Sequence, residues 1–202
     1  MMMQSKVIGG SSIPTDADGN IYTPVTIGTQ TWLLEDLKTT KFRNGDEVPL
    51  VTLDASWASS TSAARCVYNT EYGVLYNWWA ATDIRNICPI GYHIPTFAEI
   101  TTLADFLGGQ ALAGGHLKEA GTVHWNAPNT GADNSSGFYA KGNGYRTETG
   151  LFFDLKNYTI YLCSDSYDAN NCRRGYLYTG NDDFILNFQN KKYGASIRCI
   201  KY

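Results

Sequence analysis

One segment alone carries a sustained helical period, and it sets the fold class. After Pro95, the Thr96 hydroxyl is placed to cap the first free N–H groups, and Glu99 three residues on completes a capping box. Phe97, Ile100, Leu103, Ala104 and Leu107 then share one helical face, and Gly108-Gly109 stops the run. A second, shorter helix is expected from Leu112 to Glu119. The remainder consists of short apolar runs between Gly, Asn and Asp turns. The expected class is therefore α+β: one main helix, a second shorter one, and short antiparallel strands in a loop-rich domain.

Asp16-Ala17-Asp18-Gly19-Asn20 reads as a turn opening onto an alternating strand from Ile21 to Ile27. Gly28-Thr29-Gln30 reverses the chain into Thr31-Trp32-Leu33-Leu34, the pattern of a hairpin. Glu35 to Lys38 is expected to add a helical turn, and 43–70 to form a long ordered loop. Tyr72 to Thr82 is a short buried helix or strand, between which its period does not decide. Six strands are expected further on: Phe138 to Ala140, Leu151 to Phe153, Tyr158 to Leu162, Tyr176 to Tyr178, Phe184 to Leu186 and Ala195 to Ile200. With no internal repeat or low-complexity linker, 15–202 reads as one domain behind a flexible lead-in over 1–14.

Hydrophobic residues make up 43% of the chain and charged ones 17%, enough apolar material for a sizeable core. The net charge is −3, and Arg173-Arg174 and Lys191-Lys192 are the only Lys/Arg runs, which argues against a nucleic-acid partner. No apolar stretch is long enough to span a membrane. The first ten residues contain no apolar signal-peptide core. The five cysteines, Cys66, Cys88, Cys163, Cys172 and Cys199, form no CxxC pair and have no His at metal-ligand spacing. Cys163 and Cys172 flank an eight-residue gap; they either staple an exposed loop or stand there incidentally.

Several collinear motifs carry a resemblance: the Asp16–Asn20 turn, Thr26-Ile27-Gly28-Thr29-Gln30-Thr31-Trp32, Tyr76-Asn77-Trp78 and Cys88-Pro89-Ile90-Gly91-Tyr92-His93-Ile94-Pro95. Ala113 to Glu119, Trp125-Asn126, Gly131 to Phe138 and Ser196-Ile197-Arg198-Cys199-Ile200 follow in order. From about residue 16 to 202 the chain resembles the Fibrobacter succinogenes major paralogous domain family. The resemblance implies a C-type-lectin-like fold related to the formylglycine-generating enzymes. It further implies an extracellular, bacterial-surface or virion-associated module, in some members the variable protein of a diversity-generating retroelement, including phage-encoded ones. Cys88 and Cys199 both lie in matched motifs and are expected to sit close together, either as a disulfide or as two buried thiols in a reducing compartment. The disulfide would close a long loop and contribute ~4–5 kcal/mol in a chain-entropy account.

No enzyme is expected. The copper-binding cysteine pair of the formylglycine-generating enzymes has no counterpart here, and His93, His116 and His124 are scattered. A metal-dependent oxidase is the remote alternative. Asp16, Asp18 and Asn20 imitate the opening of a calcium loop, but the twelfth position is Ile27 where a bidentate Glu is needed. No cofactor is expected; the alternative that the lectin-like resemblance leaves is calcium around Asn129 and Asp133.

Residues 157–188 contain no Lys, Gln, Glu, Met or Trp, although those types supply 27 of the 202 residues. Chance alone gives such a gap with a probability on the order of 1% from composition. Adenine-directed diversification of AAC-type codons yields the other fifteen amino acids. Tyr with Asn, Ser, Asp and Gly is also the composition of adaptable binding surfaces. The expected ligand-binding residues are Tyr161, Ser164, Asp165, Tyr167, Asp168, Asn170, Asn171, Arg173, Arg174, Tyr176, Tyr178, Asn181, Asp182, Asp183 and Asn187. The expected function is a ligand-binding display or adhesion module, in its diversified form hypervariable over 157–188, meeting a protein or glycan on another surface. The alternative is a carbohydrate-binding surface module without diversification.

Overall fold

The structure is a computed structural model and describes residues 13–202. The lead-in expected over 1–14 lies, except for Ile13 and Pro14, outside the described residues. The first strands, β1 (Pro24–Ile27) and β2 (Gln30–Leu33), pair antiparallel across the expected turn. Gly28 takes a φ of 60° there, and its bare Cα faces the Phe106 ring, which a Cβ would approach to 2.8 Å.

The next stretch departs from expectation. Residues 35–38 form no helical turn, because Leu37 N donates to Ile197 O and Asp36 is bound to Arg198, drawing the segment against the C-terminal strand region. Within 43–70 the chain builds helix α1 (Asp54–Ser59) and strand β3 (Arg65–Cys66). Trp57 anchors α1: its ring is buried and its Nε1 donates to Lys192 O. Tyr72 to Thr82 contains both candidate forms, β4 (Leu75–Tyr76) and then α2 (Trp78–Ala81), which Asn77 caps by accepting from Ala80 N.

Strand β5 (Tyr92–His93) leads into α3 (Phe97–Phe106), whose Thr96–Glu99 capping box is fully formed. Helix α4 (Gln110–Leu117) starts two residues earlier than expected, because Gly109 at φ 90° turns the chain directly into it. Phe138 to Ala140 is irregular, with Tyr139 at φ 60° and only an isolated bridge from Ala140 to Lys118.

The C-terminal part supplies β6 (Asn143–Arg146), β7 (Phe152–Leu155), β8 (Tyr158–Ser166), β9 (Asn171–Tyr178) and β10 (Phe184–Asn190). They form one sheet in the order β10-β9-β8-β6-β7, antiparallel except for the β6–β8 pair. The last strand is regular only over β11 (Ile200–Lys201), which joins β1, β2 and β5 in the order β1-β2-β11-β5. β3 and β4 make a small third sheet. Among the described residues the architecture is mixed α+β with four helices, none of them long and apolar enough to cross a membrane.

Two large cores lie on opposite sides of β2 and β8. Leu33, Ile160 and Leu162 enter one; Trp32, Tyr161 and Cys163 enter the other. β8 is buried on both faces over Thr159–Cys163, and Ile160 to Cys163 accordingly reads as an unbroken apolar run. Cys88 and Cys199 are disulfide-bonded. Cys163 and Cys172 are not: both are free and buried, and strand alternation turns them to opposite faces of the sheet. That loop staple is therefore excluded in this structure.

Candidate functional site

Alternation along β8, β9 and β10 sorts the fifteen expected residues into separate places. Arg174, Tyr176 and Tyr178 share one face of β9, and Asn187 stands opposite Arg174 on β10. Tyr161 does not reach the surface. It is 2% exposed, with its hydroxyl beside Arg198 Nη2, because its side of β8 faces the second core. Ser164 N donates to Pro95 O, and the Asp165 carboxylate accepts from Phe97 N at 2.6 Å, so both residues hold the start of α3.

At the β8–β9 tip, Asp168 Oδ1 accepts from the backbone N–H groups of Asn170 and Asn171. Tyr167 stacks on Phe188 at 4.3 Å, and the Arg173 guanidinium lies over both Tyr167 and Phe97. Asn181, Asp182 and Asp183 form the turn at the other end of β9, where Asn181 O accepts from the buried Lys118 Nζ at 2.6 Å. β9 has 8 residues, which separates the two ends by roughly 25 Å at ~3.3 Å per residue. The expected set is thus not one contact surface.

The part that does form a surface is an aromatic array on the Arg174 face. Tyr158 stacks on Tyr176 with ring centroids 4.7 Å apart and meets Tyr145 edge-on at 5.5 Å. Tyr145 stacks in turn on Tyr193 at 5.8 Å and lies beside Phe153 at 6.3 Å. The adjacency of β6, β8 and β9 sets this spacing. Tyr178 and Phe153 are 43% and 44% exposed and mark the open flanks of the array. The Arg174 guanidinium lies 4.8 Å from the Tyr176 ring centre.

Burial, with Asp154 adding to it, pushes the Tyr145 phenol up to about 12. Burial also raises Tyr158, assisted by Tyr176, and raises Tyr193, assisted by Glu148. These hydroxyls therefore stay protonated and able to donate at neutral pH. Tyr145, Tyr158, Tyr193 and Phe153 are the members not singled out from sequence. Their signal was strand alternation, legible only once β6, β8 and β9 are known to be neighbours.

A groove of about 240 Å³ opens at one end of this face, with Tyr193, Glu148, Arg174 and Gln189 among its lining residues. Arg174 donates through Nε to Asn187 Oδ1 at 2.9 Å and through Nη1 to Gln189 Oε1 at 3.2 Å. The second bond fixes which way the Gln189 amide points. Gln189 Nε2 and Glu148 Oε2 are buried without a protein partner.

A larger cleft of about 370 Å³ lies elsewhere, between Leu34–Asp36, Lys38, Thr70–Gly73, Tyr139, Lys141 and Arg198. Its floor is structural. Arg198 is fully buried, pairs with Asp36 at 2.6 Å, and donates to the carbonyls of Leu33, Leu34 and Phe138. Asn143 Nδ2 completes the cluster by donating to Asp36 and Ser196.

Each histidine is matched to carboxylates: His93 to Glu99, His116 to Asp133, and His124 to Glu119 and Glu71. Ser135 Oγ and the Asp133 carboxylate both contact Nδ1 of His116, so that ring cannot relay a proton between them as a catalytic triad does. Asp16 closes its own turn by accepting from Asp18 N, Asn20 N and the Tyr22 hydroxyl. Asn129 donates to Glu119 O and Gly121 O, whereas Asp133 accepts from Ser135 N; the structure ties the two to different partners. Among the described residues no three His, Cys, Asp or Glu side chains converge as metal ligands do.

The sequence model of one family, the Fibrobacter succinogenes major domain, matches residues 25–201. No curated protein and no solved structure matches the chain.

Proposed function

The chain belongs to the Fibrobacter succinogenes major domain family, and on that premise we propose that it is a non-catalytic ligand-binding module of C-type-lectin-like fold, displayed at a cell or virion surface. Recognition takes place on the tyrosine face of β6, β8, β9 and β10. The observation that carries this reading is the aromatic array itself. Tyr145, Tyr158, Tyr176 and Tyr193 lie in consecutive ring contact beside an arginine whose partners here are two neutral amides. Rigid aromatic area with adjoining polar groups gives contact at low entropic cost, and Tyr and Arg are the residues that most often dominate binding energy.

The diversified form of the module draws on the absence of Lys, Gln, Glu, Met and Trp from 157–188. Under it, homologous copies differ at Arg174, Tyr176, Tyr178 and Asn187 on this face, while Gly194 to Cys199 stays fixed. The test is a parallel screen of the whole chain against a glycan array and a phage-displayed peptide library, repeated with an Arg174→Ala/Tyr176→Ala variant of unchanged melting temperature. Hits that disappear with the variant support the reading. Hits that persist, or a chain that selects nothing from either library, count against it.

A further inference from the structure

We propose that the groove beside Tyr193 seats a single neutral, polyhydroxylated ring, that is, one sugar residue of a glycan; this rests on the tyrosine face being the recognition surface. Its volume of about 240 Å³ lies below the roughly 300–1,000 Å³ of pockets that hold drug-sized ligands, so it suits one ring. The polar atoms define the chemistry. Gln189 is 5% exposed and keeps an unused N–H donor in its amide, oriented by Arg174. Glu148 keeps an unused acceptor oxygen in the same groove.

Buried polar atoms without partners cost free energy that a ligand bonding to them recovers. A hydroxyl both donates and accepts, so neighbouring hydroxyls on one ring can answer Gln189 and Glu148 together. Charge narrows the choice further. Arg174 and Glu148 carry opposite charges in the one groove, so a carboxylate ligand meets Glu148 and an ammonium meets Arg174. A purely apolar ligand leaves both orphaned atoms unpaired. Tyr193 supplies the aromatic side against which the C–H edge of a sugar ring packs.

The test is an NMR titration of the full chain with methyl glucoside, methyl galactoside, methyl mannoside and, as the charged control, methyl glucuronide. At least one neutral glycoside is expected to shift the Gln189 side-chain amide and the Tyr193 ring, and to bind more tightly than the glucuronide. Gln189→Leu and Glu148→Gln, each first checked for an unchanged melting temperature, are expected to weaken that binding at least tenfold and about threefold. The proposal is overturned if the glucuronide binds better, if the shifts map elsewhere, if both variants bind like the parent, or if no glycoside binds. Should no glycoside bind while peptide hits still depend on Arg174 and Tyr176, only the sugar assignment falls. Should those hits be indifferent to Arg174 and Tyr176 as well, the tyrosine face falls with it.

Discussion

Lys118 shows how much of this molecule is decided one residue at a time. Its side chain is fully buried, and its ammonium donates to the carbonyls of Thr130, Tyr178 and Asn181. One cation thereby ties the end of α4 to the 129–131 segment and to the β9–β10 turn. Burial pulls its pKa from 10.5 down to about 8, with Asp182 and Asp183 opposing the fall. The unfolded chain therefore binds more protons between those two values, and this group's contribution to stability increases as pH rises from about 8 to about 10.5. Denaturant titrations of the parent and Lys118→Met across that window should show the parent gaining on the variant. A gap that stays constant would mean that the lysine titrates alike in both states. The sequence offered no hint of this role, because a lysine near a helix end reads as solvent-facing until its carbonyl partners are placed.

Among the elements, α3 was legible in full because its cap, apolar stripe and glycine stop are all local signals. α1 was not: Asp54–Ser59 is short and polar, and it is held by Trp57 and by Arg146, which donates to the distant Val51 O, Thr52 O and Asp54. Such an element is fixed by tertiary contacts that no sequence window contains. α4 reveals a constraint of the same kind. Gly114 lies so close to the β9–β10 turn that a Cβ would fall 2.1 Å from Asp183 O. Gly114→Ala must push the helix off β10, and overpacking of this kind costs about 1–3 kcal/mol. A thermal melt lowered by several degrees is the expected result, and an unchanged melt would show that the helix shifts freely.

At the scale of the whole molecule, a disulfide and a buried ion-pair cluster hold the C-terminal segment in place. The Cys88–Cys199 bond ties the C-terminal segment to the stretch before β5, and the Arg198–Asp36 cluster ties it to the stretch after β2, while two cores share β2 and β8. The three remaining thiols are buried, and burial raises each of them, Cys66 and Cys172 to about 12. Alkylation of the native protein should leave all three unmodified, and denaturation without reductant should expose three thiols and no more. A Cys163–Cys172 peptide in the non-reduced digest would contradict the strand placement.

The closeness of Cys88 and Cys199 followed from family motifs, whereas the proposed site was only partly legible. Composition singled out β8, β9 and β10, which carry part of the proposed face, yet Tyr161 turned inward and Asn181 to Asp183 lay at the far end. A boundary drawn where Gln is absent stopped one residue short of Gln189. Side-chain direction in a sheet depends on register and pairing, which composition does not carry.

The central claim is that recognition occurs on the tyrosine face, and the chain's own tyrosines report on it. Tyrosine-selective isotope labelling, with NMR spectra recorded as a ligand from the library screens is added, reads the surface directly. The account predicts that Tyr145, Tyr158, Tyr176 and Tyr193 shift while the core residues Tyr22, Tyr76 and Tyr161 stay in place. Shifts confined to Tyr72 and Tyr139 would place binding in the cleft above Arg198 and contradict it.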